Sequence, residues 1–412
     1  MIYLYIDPGT GSMLFSILIG VIAALLFVLR KVLLTLKFYL SGGKAVAAAA
    51  DKLPYVIFSD SKRYWNVFKP ICDEFEKRQT VVHYYTASPD DPALDVPYKY
   101  VKCSFIGEGN KAFVKLNLLS ANICLSTTPG LEVYQWKRSK DIDWYIHMFH
   151  AVDEGLGYRM FGMDFYDAVV LTGAFQERYI RILEEKRELP AKETVVVGCD
   201  YLDTMAERLA AVAPTAVAEA RQTTVLLAPS WGPSAILSTY GEKMIDALLA
   251  TGFQIIIRPH PQSFVSEKAL MDRLTAKYQA EPKLTWNYDN DNFEALQSAD
   301  VLITDFSGII FDFTMVFDKP IIYADTQFDA AIYDACWVDE PLWRFQILPQ
   351  LGIELKEEKL QDLNALINQL LTDDKYKEGR AAIRSQVWQY RGEAAARTVD
   401  YMMEKYRALT NE

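Results

Sequence analysis

Two short loops gather the residue types that bind and transfer phosphate. Arg258 and His260 flank Pro259 in RPHPQS (258–263), directly after the apolar run FQIII. A guanidinium offers phosphate oxygens a planar fork, and an imidazole donates to phosphate or titrates near neutral pH. Proline fixes φ and so holds the spacing between them. In TDFSG (304–308) an apolar run ends at Ile303, and Ser307 and Gly308 open a helical pattern that reaches about Phe317. The N–H groups and dipole at a helix start favour an anion, and glycine allows close backbone approach. Alone, that loop has a plainer reading in which Asp305 or Ser307 caps the helix. A third loop, APSWGPS (228–234), also follows an apolar run, so Ser230, Thr304 and Asp305 join Arg258, Ser307 and Gly308 as candidate donor-binding residues, with His260 a candidate catalytic residue.

The chain holds 4 histidines. His150 closes the run WYIHMFH, and at the C-terminal end of a parallel strand it would point into a cleft as a candidate catalytic group. His147 lies three residues earlier and therefore on the opposite face, which makes it structural. His83, inside VVHYY, reads as a core residue. Asp289-Asn290-Asp291 has the form of a metal-binding DxD, but it sits in a loop where Asp291 or Asn292 would cap the next helix; no metal is expected. The 5 cysteines are scattered and never form a CxxC pair, so neither a disulfide framework nor a zinc cluster is indicated.

Positioning these groups requires strands that end where the loops begin. From about residue 52 short β-branched or aromatic runs (PYVIFS, TVVHYYT, YKYVKC, ANICLS, WYIHMFHA, YDAVVLTG, ETVVVGC) alternate with helical stretches such as 65–77 and 175–187. Continuous rather than alternating apolar strands imply a parallel sheet covered on both faces. A second unit starts near Thr223: TVLLAPSWG, a helix over 234–252, FQIIIRPHP, a helix over about 266–279, DVLITDFSG, a helix, and KPIIYAD. Repeated βα units of this kind make a doubly wound fold whose ligands sit at the carboxyl ends of the strands. The expected organisation is an N-terminal segment 1–50, a first Rossmann-like half 51–222, a second half 223–385, and a C-terminal helix in 386–412 that packs back across them. His150 from one half and His260 from the other would then share a site.

The N-terminal segment carries no charge from Pro8 to Leu29, and Met13–Leu29 is almost wholly apolar. About 20 such residues span a bilayer. Arg30, Lys31, Lys37 and Lys44 follow, which places the C-terminal side in the cytoplasm and residues 1–7 outside. Residues 31–50 read as an interfacial amphipathic stretch and an Ala-rich linker. The expectation is a single-pass protein of the cytoplasmic membrane, with membrane lipids as partners. Its net charge of −11 argues against nucleic acid.

RPHP, SADVLITDFSGIIFDF and KPIIYAD together resemble the CDP-glycerol glycerophosphotransferase family, which builds teichoic-acid-type poly(glycerol phosphate). APSW and the closing YRGEAAARTVDYM are similar to two further family patterns. The resemblance spans most of residues 140–405 and implies a GT-B-like α/β fold of two Rossmann-like domains, with the nucleotide-diphosphate donor held mainly by the second and no cofactor beyond it. It also implies that His150 deprotonates the acceptor hydroxyl, that Arg258 and His260 hold the diphosphate, that Ser307 and Gly308 contact it through backbone N–H, and that Asp312 meets the ribose. The acceptor would be lipid-linked or polymeric. One block departs from the family's His-Gly-Thr-Pro followed by a lysine: here His150 is followed by Ala151-Val152-Asp153-Glu154-Gly155. Asp153 and Glu154 are therefore candidate acceptor-side residues, either orienting His150 or serving a different acceptor. Two other readings stay open, a glycosyltransferase of the same fold using a nucleotide sugar and a membrane scaffold that has lost catalysis.

Overall fold

The computed structural model describes residues 52–212, 222–289, 291–324, 326, 328–373 and 375–411. The expected membrane span and amphipathic stretch lie outside these residues. Among the described residues no helix is long and apolar enough to cross a membrane.

The first half is a seven-stranded sheet of β1 (Leu53–Ser59), β2 (Val82–Thr86), β3 (Val101–Phe105), β4 (Ala121–Ser126), β5 (Ile142–Met148), β6 (Ala168–Leu171) and β7 (Glu193–Val196), ordered β3-β2-β1-β4-β5-β6-β7. Every pairing in it is parallel. All six residues of β4 are buried, as the continuous apolar run ANICLS requires of a central strand covered on both faces. The second half repeats the plan with β8 (Thr224–Leu227), β9 (Gln254–Ile257), β10 (Leu284–Trp286), β11 (Val301–Thr304), β12 (Ile321–Ala324) and β13 (Gly352–Leu355), ordered β10-β9-β8-β11-β12-β13 and again parallel. In each sheet the strand order reverses once, between β1 and β4 and between β8 and β11, and crevices open at the carboxyl ends there. The loops 228–234, 258–263 and 304–308 leave β8, β9 and β11 at that point.

An apolar core runs across the junction of the halves. Val152, Leu156, Tyr179 and Leu183 of the first half share it with Leu302, Phe311 and Trp343 of the second. Phe175 and Trp343 meet at 4.3 Å between ring centroids, and Phe311 stacks on the same tryptophan at 5.6 Å. The chain then crosses back. Asp203 of the first half accepts from the Trp388 indole (2.7 Å) and the Gly392 amide (2.8 Å), and the final helix Ala394–Thr410 packs on the helix Trp65–Lys77 of the first half.

Three local expectations differ from the structure. The helix expected over 234–252 is two helices, Ile236–Tyr240 and Glu242–Ala250, because Gly241 between them takes a positive φ of 48°. The helix expected from 266 starts earlier, as a turn Ser263–Ser266 followed by Lys268–Tyr278. His83 is only half-buried: Val82 and Tyr84 of β2 face the core, so His83 shares the more open face with Tyr85.

Candidate functional site

A cleft of about 330 Å³ lies between the halves and gathers Arg63, Tyr64, His150 and Tyr201 from the first with Arg258, His260, Asn292, Ser307, Gly308 and Asp312 from the second. Larger cavities exist, of about 610 Å³ beside Phe161 and Trp337 and about 350 Å³ beside Glu193 and Lys405. Volume therefore does not single out the cleft; its place at the strand ends and its side chains do.

His150 lies two residues beyond β5. Its Nδ1 is 3.0 Å from Thr127 Oγ1, and its ring packs on Tyr64 at 4.8 Å. Burial pushes its pKa down to about 4, against the pull of Asp153 in the other direction and with the help of Arg63. At neutral pH the ring is uncharged. With Nδ1 bonded to the threonine hydroxyl, Nε2 is the nitrogen left to face the cleft. His147 is fully buried on the opposite face, 3.0 Å from the Tyr158 hydroxyl.

The RPHP loop holds its two polar groups as a pair. The Arg258 amide donates to Leu227 O at 2.8 Å, which ties the loop to β8, and its guanidinium donates to Asn287. His260 Nδ1 accepts from the Gln262 amide at 3.1 Å, so the ring proton sits on Nε2. Burial lowers its pKa to about 4, and Arg63 and Arg258 lower it further. His260 is thus a neutral Nε2–H donor at pH 7, suited to an accumulating phosphate charge.

The TDFSG loop divides its residues between support and contact. Thr304 and Asp305 turn inward: the Thr304 hydroxyl donates to Ala228 O (2.7 Å), and the buried Asp305 carboxylate accepts from the amides of Ser230 (2.9 Å), Ile236 (2.9 Å) and Ser307 (3.2 Å). They knit the loop after β8 to the loop after β11 and do not line the cleft. The Ser307 amide, expected to meet the diphosphate, is given to Asp305, which leaves its side chain at the cleft wall. Gly308 opens the turn Ile309–Phe311, which continues as a π-helical turn over Asp312–Val316. Its φ of −60° does not demand glycine, and a Cβ built there would meet nothing within 4 Å. Folding leaves that space open, as a ligand approaching the backbone requires. Gly308→Ala is therefore expected to leave Tm unchanged or raise stability by about 0.4–1 kcal/mol. Nucleotide affinity is expected to fall about tenfold; thermal unfolding and titration calorimetry on one preparation check both.

Asp312 is buried. One carboxylate oxygen accepts from Asn292 Nδ2 (2.9 Å) with the Tyr201 hydroxyl at 3.4 Å, while the other is buried without a partner. Burial raises its pKa to about 7, opposed by Asn292, Tyr201 and Arg258. An unsatisfied carboxyl at the wall of a cleft is where a ligand hydroxyl would bond. Asp291 accepts from the Phe293 amide at 3.1 Å and pairs with Arg208 at 2.6 Å, a helix start and a surface ion pair.

Asp153 and Glu154 are bound to Arg344, a residue that no motif or spacing singles out. Its Nε donates to Glu154 (2.8 and 3.1 Å), Nη1 donates to Phe306 O (3.1 Å), and Nη2 donates to Asp153. Glu154 is fully buried, and burial keeps its carboxyl above the usual range despite the guanidinium. A Cβ at Gly157 would come within 3.0 Å of the Asp153 carboxylate, so this glycine makes room for the pair. Arg344 thus joins the loop after β5 to the loop after β11. Arg63, Tyr201 and Asn292 were also unforeseen: they stand far apart in the chain, without local motifs.

Two parallel doubly wound sheets with a cleft at their switch points define a GT-B-like α/β protein. The family model for CDP-glycerol:poly(glycerophosphate) glycerophosphotransferases matches residues 176–404. The chain belongs to that family and is a CDP-glycerol glycerophosphotransferase-like enzyme. No curated protein sequence matches it. Among solved structures it is similar to the wall teichoic acid polymerase TagF, with 15% identity and a TM-score of 0.57 over 93% of this chain and 98% of that one. S. aureus MnaA bound to UDP has 11% identity and a TM-score of 0.54 over 88% and 98% of the respective chains. The UDP-N-acetylglucosamine 2-epimerase of Rickettsia bellii has 12% identity and a TM-score of 0.53 over 88% and 100%. At these identities the likeness is one of fold.

Proposed function

We propose that the protein transfers a glycerol-phosphate, or another polyol-phosphate, from a CDP-polyol to a hydroxyl of a lipid-linked or glycan acceptor during synthesis of a teichoic-acid-type envelope polymer. The observation that carries this reading is the convergence in one cleft of a neutral His150 from the first half with Arg258, His260, Gly308 and Asp312 from the second. Asp312 takes a ribose hydroxyl on its unpartnered oxygen. Arg258 and the backbone at Gly308 hold the diphosphate. The base enters the adjoining cavity of about 170 Å³, where Tyr288 and Phe264 offer ring faces beside Asn287.

In the reaction the acceptor oxygen attacks the phosphorus that bears the polyol, in line with the bridging oxygen of the departing CMP. His150 Nε2 takes the hydroxyl proton, the P–O bond to CMP breaks with its electron pair, and His260 Nε2–H and Arg258 meet the charge that grows on the leaving group. Catalysis is positioning plus charge stabilisation, with no covalent enzyme intermediate. The uncharged run at 8–29 and the cations after it would hold these domains at the cytoplasmic face, where a lipid-linked acceptor is concentrated.

Titration calorimetry with CDP-glycerol, CDP-ribitol, UDP-sugars and CMP tests the reading. A CDP-polyol is expected to bind, and Arg258→Ala to weaken it about 10- to 100-fold, the loss of one charge-assisted contact of roughly 1.5–3 kcal/mol. Binding of a UDP-sugar instead would make the protein a glycosyltransferase, and silence from every nucleotide would leave a scaffold.

A further inference from the structure

Beside the donor cleft is a second, smaller cavity of about 200 Å³ that shares His260, Ser307 and Gly308 with it. Its other walls include Asp153, Arg344, Ser230, Trp231, Phe328 and Tyr333. We propose that this cavity is the acceptor subsite, and that it takes a neutral sugar ring rather than an anionic polyol-phosphate chain end. The proposal rests on the transferase reading above and adds the acceptor class to it.

Three observations carry the inference. Two of the shared residues, Gly308 and His260, are those assigned to the diphosphate and the leaving group, so a group seated in this cavity lies against the reacting phosphorus. Asp153, which also contributes to the wall, is three residues after the base His150, and its charge is felt there. Next, the charge balance excludes a second phosphate. The guanidinium of Arg344 already binds both Glu154 and Asp153, and His260 is uncharged at neutral pH with a pKa of about 4. Among the described residues that line the cavity no cation is left uncompensated, and an acceptor phosphate would meet the Asp153 carboxylate instead. Finally, the lining matches a sugar. Phe328 packs on Phe306 at 5.1 Å and stacks on Tyr333 at 5.3 Å, an aromatic wall for the C–H face of a ring. Asp153, Ser230 and Tyr333 supply acceptors and hydroxyls for its rim; the partly exposed Asp153 carboxylate accepts from the Gly155 amide (2.6 Å) and from Arg344, and each oxygen keeps a second lone pair for a sugar hydroxyl. The volume suits one ring and not a chain.

The acceptor hydroxyl then forms the new bond to phosphorus, its proton passes to His150, and CMP leaves with the electrons of the broken P–O bond. Full-length protein in detergent, CDP-glycerol as donor, and two acceptors, an alkyl β-glycoside and a glycerol-phosphate oligomer, test the inference through CMP release and product mass. Transfer to the glycoside is expected, with little to the oligomer, and Asp153→Asn is expected to raise the KM for the glycoside about tenfold while the CDP-glycerol affinity stays unchanged. Tyr333→Phe, a milder change, is expected to raise the same KM severalfold. Preference for the oligomer, transfer to neither acceptor by protein that binds CDP-glycerol, or a glycoside KM indifferent to both substitutions would overturn the subsite and leave the donor assignment standing. Failure to bind CDP-glycerol at all would instead remove the transferase reading, and the subsite with it.

Discussion

His150→Ala should lower kcat by about 10²- to 10⁴-fold, the usual contribution of a positioned general base, with the affinity for the CDP-polyol essentially unchanged. Burial and the contact to Thr127 keep the imidazole neutral and oriented, and a base must be unprotonated before it can act. The pH dependence has a definite sign. With its pKa lowered to about 4, the base is fully available at pH 7, and the rate should fall only as pH drops through about 4. Stability moves first. His147 (about 3), His150 and His260 (about 4) resist protonation in the folded state, while an unfolded histidine takes its proton near 6.5. Between those values the unfolded chain binds more protons, so folding stability declines as pH falls from about 6.5 toward 4 and is fullest above 6.5. Asp305 and Asp312, raised to about 6 and about 7 by burial, act in the opposite sense, adding stability at low pH that is lost as pH rises through those values. Rates should therefore be followed together with thermal unfolding across pH 4–8. A donor affinity that fell in step with kcat would reassign His150 to binding.

The grouping of Arg258, His260, Ser307 and Gly308 along one cleft was legible because their motifs are local. Arg258 and His260 are two residues apart across a proline, and a strand followed by Ser-Gly and a helical pattern marks an anion site without any tertiary information. Inward and outward positions within the same motif were not legible. Thr304 and Asp305 stand beside Ser307 and Gly308, yet the strand's alternation turns Thr304 onto Ala228 and the turn geometry brings three amides onto Asp305. The partners of Asp153 and Glu154 were out of reach for another reason. Arg344 is about 190 positions away in PLWRFQ, where nothing in spacing or periodicity sets it apart from an exposed arginine, and only the folded junction brings it to the carboxylates. The fold was read from long apolar runs, so β10 and β13, three and four residues at the two edges of the second sheet, were missed. Edge strands half open to solvent lack the continuous apolar run that marks a central one.

The largest loss of stability is expected from Arg344→Ala. Among the described residues the guanidinium is the sole ion-pair partner of the fully buried Glu154, and it also serves Asp153 and the Phe306 carbonyl. Removing one member of a buried pair leaves an uncompensated charge and costs about 3–5 kcal/mol, whereas replacing the whole pair with neutral groups of similar volume is often close to neutral. Arg344→Ala should therefore lower the unfolding free energy by that amount, and Arg344→Met combined with Glu154→Gln should restore most of it. The pair's second consequence separates stability from function. Arg344 bonds to both the loop after β5 and the loop after β11, which carry His150 and the Ser307–Gly308 turn. The double variant, stable but without that bridge, should bind the CDP-polyol normally and still turn over more slowly, because a base displaced by a fraction of an ångström loses its in-line geometry. Chemical denaturation of the three proteins, read beside kcat at saturating donor, decides the matter: full activity in the restored variant would reduce Arg344 to a structural ion pair.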